Sequence, residues 1–399
     1  MTIHWCGTGL SAIPGLRRLI EAGHDVAVWN RTPGKARAAV GDLTDRIKAF
    51  DVEQLSGEAG PGDVVVSMLP GEWHVPLAEM CIDNGAHFVS SSYIAPEMRA
   101  LDGQAQARGV CAVNEVGLDP GIDHLMAHQL VAQYRASEAF DAQNDLSFTS
   151  YCGGIPKHPN PFRYKFSWSP LGVLKALRSP SRSIRDFAER NVARPWDAIS
   201  SYTAPLAEPE TFEVYPNRDS LPFIADYRFA ADWRVKEFVR GTLRLNGWAE
   251  AWADVFAEIE TLEGAAGEAR LKEMSDRFWK ENAYEKGEPD RVVLCVSLKA
   301  EREGAPVWHR TWAMDAWGDA QGTAMARLVS VPVSLAVEAV IRGEIGAGVS
   351  PAPHAPELVA RFLGEVGRLA QHLDLVDHIA GQTTDLTATG VAKGAETGA

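Results

Sequence analysis

A glycine-punctuated turn between a short apolar strand and a helix constrains this chain more than any other feature. Residues 2–6 read as a strand, Gly7-Thr8-Gly9-Leu10-Ser11-Ala12 follows, a helix runs as far as Ala22, Gly23 ends it, and residues 26–30 form a second strand. In that setting G-x-G-x-x-A marks a dinucleotide-binding βαβ unit. Gly7 supplies the tight turn, Gly9 lets the backbone approach a pyrophosphate, and Ala12 replaces the third glycine where helix and strand pack closely. The phosphates would rest on the helix N-terminus, whose free N–H groups favour negative charge, so Gly7, Gly9, Leu10 and Ser11 are assigned to the coenzyme. After the second strand an NAD enzyme places a carboxylate on the ribose, but this chain has Asn30-Arg31-Thr32, with Lys35 one turn on. Arg31 can pair with a 2′-phosphate that a carboxylate would repel, which points to NADP. The alternative is a strand-turn-helix that carries two glycines by chance.

Strand-helix alternation continues. Strands are predicted at 47–50, 64–68, 87–91 and 111–113, with helices at 52–59, 74–84 and 96–107, giving a six-stranded, doubly wound parallel sheet. Ligands of such sheets bind outside the carboxyl ends of the strands. Those ends carry Leu69 and Pro70, then Ser91, assigned to the coenzyme, and the glycine-rich run from Asn114 to Gly121. A first domain over 1–124 follows.

Beyond it the texture changes, with strand-like runs at 147–152, 237–245 and 292–299 and nine of the twelve tryptophans between Trp168 and Trp317. We expect an α+β domain over 125–324, interrupted by charge-rich helical stretches at 172–192 and 248–284 that form a small lobe. A helix at 325–342 opens a C-terminal helical segment, 325–379, that returns to the first domain. A Gly-, Thr- and Ala-rich tail, 380–399, is expected to be disordered.

No apolar run is read as long enough to span a bilayer, and the N-terminus lacks the basic and apolar stretches of a signal peptide, so a cytoplasmic location is expected. Five scattered cysteines without a C-x-x-C pair argue against a disulfide framework or a structural zinc site. A net charge of −14 disfavours nucleic acid and anionic membranes as partners.

Further segments carry a resemblance: Ser91-Ser92-Tyr93; residues 114–124, NEVGLDPGIDH; 150–156, SYCGGIP, with 164–169, YKFSWS; 215–220, YPNRDS, with 240–244, RGTLR; and Gly348-Val349-Ser350-Pro351. With the nucleotide fingerprint they resemble the saccharopine reductase family, the glutamate-forming saccharopine dehydrogenases, in order and over most of the chain. Arg163 and Leu171 depart from the usual pattern, which has a small residue and a basic one there. The resemblance implies NADP-linked interconversion of saccharopine with glutamate and 2-aminoadipate 6-semialdehyde, a small-molecule amino-acid substrate, and a substrate-domain sheet that supports a homodimer. It places Tyr93, Asp119 and Cys152 around the reacting centre as candidate catalytic groups. Ser92, Gly154, Arg218 and Thr242 join them as substrate contacts.

Each assignment has a rival. Asp119 can handle a proton or cap the helix that follows Pro120. Arg218 can grip a substrate carboxylate or pair with Asp219 or Asp226 on the surface. Cys152 can be an inert buried thiol, and Gly153 and Gly154 can admit a ligand to the backbone. Arg240 and Lys165 are weaker cationic candidates, as a strand arginine is commonly solvated. Asp119, Asp123, His124 and His128 have metal-like spacing, but no further ligand cluster supports a metal. At the level of function, a related imine reductase acting on a carboxylated polyamine and a non-catalytic NADP-binding sensor are the alternatives.

Overall fold

In the computed structural model, residues 1–387 are described, and they divide into two compact bodies, 1–125 with 325–362 and 126–324 with the segment from 363 onward. The first is built on a parallel seven-stranded sheet. Its spatial order is Gly348–Ser350, Cys111–Val113, His87–Ser90, Val64–Ser67, Ile3–Cys6, Val26–Asn30, Ile47–Ala49. Strands such as Val64–Ser67 are buried throughout, as a sheet covered on both faces requires, and they read as continuous apolar runs for that reason. The order reverses beside Ile3–Cys6, which pairs with Val26–Asn30 on one side and Val64–Ser67 on the other, so the crevice of a doubly wound sheet opens at the Gly7 turn.

The seventh strand was not among the six expected: Gly348–Ser350 joins Cys111–Val113 from far along the chain. The predicted helix at 96–107 is two, Pro96–Arg99 and Asp102–Arg108. The apolar helix Ala324–Ile341 also corrects an expectation, because by length and composition alone it could cross a bilayer. Most of it is buried instead. Gly15 of helix Ile13–Glu21 backs onto it so closely that a Cβ would lie 1.9 Å from the Ser330 carbonyl oxygen, and Gly15 N–H donates to Ser330 Oγ at 2.8 Å. Gly15 is thus the glycine of close helix-to-helix packing, and Ala12 is buried at the helix start.

The second body is a ten-stranded mixed sheet flanked by helices. Arg234–Leu245 runs parallel to Asp145–Pro156, and Asp290–Arg302, Ala305–Trp317, His372–Asp377 and Gln382–Asp385 continue from it as antiparallel neighbours. The helices Pro170–Leu177, Trp248–Ala251, Ala253–Glu260 and Gly264–Glu281 enclose a core of Trp248, Trp252, Phe256, Leu271 and Phe278. Only the first part of 172–192 is helical. Ser181–Arg185 and Ala188–Val192 form a hairpin, since Asp186 and Phe187 both take positive φ, 49° and 64°, as a two-residue turn of that hand requires. The segment 325–379 is likewise not all helical, because His372–Asp377 pairs with Ala305–Trp317. The tail expected to be disordered begins instead with the paired strand Gln382–Asp385, and residues 388–399 lie outside the described residues.

Candidate active site

The nucleotide loop has the shape a pyrophosphate needs. Gly7 adopts φ +104°, and a Cβ there would meet the Met68 carbonyl oxygen at 2.7 Å, so no other residue fits. Gly9 has open space where its side chain would be, which leaves the backbone approachable. Thr8 Oγ1 is buried without a hydrogen-bond partner, and helix Ile13–Glu21 begins with no side-chain cap and no acid in its first turn. Orphaned donors on a bare helix N-terminus fit a phosphate-bearing coenzyme. Leu10 and Ser11 complete the loop, Leu10 being exposed. Leu69 lies against Gly7, and Pro70 starts the short turn Gly71–Trp73. At the end of Val26–Asn30, Asn30 Nδ2 donates to the Thr32 carbonyl at 3.0 Å. Arg31 and Lys35 are exposed, and Thr32 begins helix Pro33–Val40 without a side-chain cap. This cationic corner suits a 2′-phosphate.

Segment 114–124 folds back on itself. Gly117 N–H donates to the Pro120 carbonyl at 2.9 Å and Ile122 N–H to the Gly117 carbonyl at 3.0 Å. Gly121, at φ +148°, would place a Cβ within 2.5 Å of Gly117 backbone atoms. Ser91 packs on the same turn, its Cβ 2.9 Å from where a Gly117 side chain would begin. The loop holds the half-buried Asp119 so that Tyr93 Oη donates to its Oδ1 at 3.0 Å. Helix Ile122–Arg135 starts beyond Asp119, and Asp123 accepts from Gly121 N–H at 2.7 Å. Glu115, buried at φ +56°, accepts from Ile94 N–H at 2.9 Å and lies 3.2 Å from His124 Nε2, tying the Tyr93 segment to the loop. Asp123 lies 3.6 Å from the other ring nitrogen of His124, and His128 packs edge-on to Tyr227. Among the described residues no group of three His, Cys, Asp or Glu is placed to hold a metal.

In the second body, alternation along Arg234–Leu245 puts Arg240, Thr242 and Arg244 on one face. Thr242 is in register with Cys152 on one side and Tyr215 on the other, and Gly154 lies two residues beyond Cys152. Gly153 does not admit a ligand: a side chain there would sit 2.3 Å from the Leu243 carbonyl oxygen, so the neighbouring strand takes that space. Arg240 is not solvated but buried, its guanidinium 4.0 Å from the Phe223 ring. Lys165 Nζ is held by Glu288 at 2.6 Å. Arg218 stands just past strand Glu210–Pro216 at φ +56°, its carbonyl accepting from Arg182 N–H at 2.9 Å. Asp219, one rival partner for it, lies 3.6 Å from Arg182 Nε.

Sequence reasoning passed over Arg244 as a site residue. It is 6% exposed, and its guanidinium lies 4.8 Å from the Tyr164 ring, 5.4 Å from Trp248 and 5.7 Å from Tyr215. Nη1 donates to the Leu243 carbonyl, while its Nε, Tyr164 Oη and Trp248 Nε1 are buried without hydrogen-bond partners. The nearby carboxylate, Glu213, is occupied by the N–H groups of Gly247 and Ala249. Burial pushes the Tyr215 hydroxyl up, while neighbouring Arg244 opposes the rise. A buried cation among orphaned polar atoms is the signature of a site for an anion. The signal in sequence was the alternation Arg-x-Thr-x-Arg on a strand otherwise apolar.

Comparison with known proteins adds identity to this geometry. Residues 6–113 match the family model for the saccharopine dehydrogenase NADP binding domain, and 117–369 that for the saccharopine dehydrogenase C-terminal domain. Saccharopine dehydrogenase [NADP(+), L-glutamate-forming] of Pyricularia oryzae is 29% identical over 85% of this chain and 90% of its own length. The mitochondrial alpha-aminoadipic semialdehyde synthase of Bos taurus is 26% identical over 79% of this chain, which spans 40% of that longer protein. Apo saccharopine dehydrogenase (L-Glu forming) from Saccharomyces cerevisiae superposes with a TM-score of 0.79 at 25% identity, over 94% of this chain and 99% of that one.

Proposed function

We propose, since the chain belongs to the saccharopine dehydrogenase family, that it is an NADP-dependent oxidoreductase of lysine metabolism acting on saccharopine. Saccharopine, NADP+ and water would give L-glutamate, 2-aminoadipate 6-semialdehyde, NADPH and a proton, reversibly. The observation that carries the reading is the Tyr93–Asp119 hydrogen bond, 3.0 Å, at the carboxyl edge of the dinucleotide-binding sheet. Gly7, Gly9, Leu10 and Ser11 with Arg31 would hold NADP, which when bound would supply the hydride acceptor. The secondary amine must be unprotonated before that transfer, and water must then add to the iminium and lose a proton. Asp119, sharing the Tyr93 proton, would take and return it. Ser91, Ser92 and the loop 114–124 orient these groups, and positioning supplies much of the rate.

For the substrate's three carboxylates, Arg244 and Arg218 supply guanidinium groups, with Thr242 and Cys152 in register on the Arg244 face. A screen of NADP reduction against saccharopine, other amino-acid adducts and carboxylated polyamines tests the assignment. Saccharopine should give by far the highest kcat/KM, and preference for a polyamine adduct would transfer the scaffold to a different imine.

A homodimer is part of this reading, supported by the broad ten-stranded sheet, and light scattering on the purified protein checks it. A cytoplasmic location fits five buried cysteines that form no disulfide, with Cys6 and Cys295 pushed up by burial and therefore inert.

A further inference from the structure

His74 takes no part in the roles assigned above, yet it bridges two strand ends of the dinucleotide-binding sheet. It is the first residue of helix His74–Asn84, directly after the turn Gly71–Trp73, and its ring is buried edge-on to Phe88. Nδ1 lies 2.9 Å from Ser67 Oγ, at the end of strand Val64–Ser67. Nε2 lies 2.8 Å from Ser92 Oγ, just past strand His87–Ser90. Burial holds the imidazole pKa down to about 4 against the opposing charge of Glu72, so the ring is neutral near pH 7.

A neutral imidazole has one N–H and one lone pair. It cannot donate to both serines or accept from both. If Nδ1 accepts from Ser67, Nε2–H donates to Ser92, and the Ser92 hydroxyl proton is left to point away from the ring. In the opposite tautomer that proton is spent on Nε2, and only oxygen lone pairs face outward. Ser67 is fully buried and Ser92 is not, so Ser92 alone has a side that can meet a ligand. An anionic ligand selects the first tautomer, because a carboxylate accepts hydrogen bonds and does not donate them.

We propose that Ser67, His74 and Ser92 form a relay in which His74 is a positioning residue, presenting the Ser92 hydroxyl as a donor to a substrate carboxylate. The inference rests on the saccharopine reading given above.

The test uses the full chain with His74→Phe, His74→Gln, Ser92→Ala and the double variant H74F/S92A. KM and kcat for saccharopine and Kd for NADPH are measured for each. H74F should raise KM about fivefold to tenfold, the effect of one neutral hydrogen bond, with a smaller change in kcat and an unaltered NADPH Kd. H74Q, whose amide nitrogen reaches the Nε2 position, should recover part of the loss. S92A should resemble H74F, and the double variant should be no worse than S92A, because the two residues act as one unit. If H74F is too unstable to purify, Ser67→Ala with and without S92A gives the same cycle. Independent, multiplying effects would overturn the proposal, as would a wild-type KM in H74F or a loss confined to NADPH affinity. A wild type that binds NADPH but leaves saccharopine untouched refutes the reaction itself. An active wild type indifferent to His74 refutes only the relay.

Discussion

Replacing Arg244 with methionine should weaken substrate binding and strengthen the fold, two changes of opposite sign from one atom group. Arg244 is 6% exposed, its guanidinium has three aromatic rings within 5.7 Å and one carbonyl acceptor, and its cross-strand neighbour Glu213 is taken up by the N–H groups of Gly247 and Ala249. Taking such an ion from water costs several kcal/mol. Cation–π contacts return about 0.5–2 kcal/mol each when desolvated, and the bond to Leu243 returns about 1.5–3 kcal/mol. The free protein is left near balance, with the one nearby carboxylate, Glu213, spent on backbone N–H groups, a debt that a substrate carboxylate would cancel. Methionine keeps the apolar stem and fills an irregular space readily. We expect unfolding free energy to rise by about 1 kcal/mol, seen as about 2–4 °C in Tm for a body of this size. KM for saccharopine should rise about tenfold to a hundredfold, the loss of one charge-assisted contact of about 1.5–3 kcal/mol. Arg244→Lys should recover only part, since an ammonium lacks the planar fork. Scanning calorimetry and steady-state kinetics read the two effects. A Tm lowered by several degrees with KM unchanged would refute the argument and make Arg244 a structural strut.

Coenzyme choice should follow Asn30 and Arg31: the wild type should prefer NADP over NAD, and Asn30→Asp with Arg31→Ala should reverse the ratio of kcat/KM values. Asp119→Asn should lower kcat by about 10²–10⁴, the usual worth of a positioned acid or base, with Tm nearly unchanged because asparagine caps a helix as well as aspartate does. Normal turnover in that variant would leave Asp119 a structural role. Acid should destabilise the fold through two histidines. His74 and His309 are both held down to about 4, by burial first and, at His309, next by His378 stacked 4.0 Å away. The unfolded chain takes up protons at these sites below its ordinary histidine pKa of about 6.5 while the folded chain resists. Their contribution to stability is therefore full above pH 6.5 and is lost as pH falls to about 4, with the more exposed His309 contributing less than the buried His74 because solvent screens it. Denaturant titrations of wild type and His309→Gln should show a shallower acid slope in the variant, and equal slopes would count against it.

The dinucleotide sheet was legible because buried parallel strands are nearly continuous apolar runs, and Gly7 stands where only glycine fits. Its seventh strand was not, as Gly348–Ser350 is three residues long and joins from far along the chain. The hairpin 181–192 was read as helical because its exposed positions are charged. The period of two survives only in buried Ser181 and Ser183, and its turn uses Asp186-Phe187 in place of Asn-Gly. Gln382–Asp385 is polar and exposed throughout, so only its pairing partner reveals it as a strand. In the candidate site, sequence supplied Tyr93 and Asp119 but not their hydrogen bond. Arg244 and His74 escaped because their meaning lies in what is absent around one and present on both sides of the other.

Saccharopine is oxidised at the carbon whose bond to nitrogen is then hydrolysed to release glutamate. Mass spectrometry of the products formed from saccharopine and NADP+ tests it directly. L-Glutamate and 2-aminoadipate 6-semialdehyde should appear in amounts equal to the NADPH formed. Release of lysine and 2-oxoglutarate, or NADPH formation from other adducts but not from saccharopine, would contradict it.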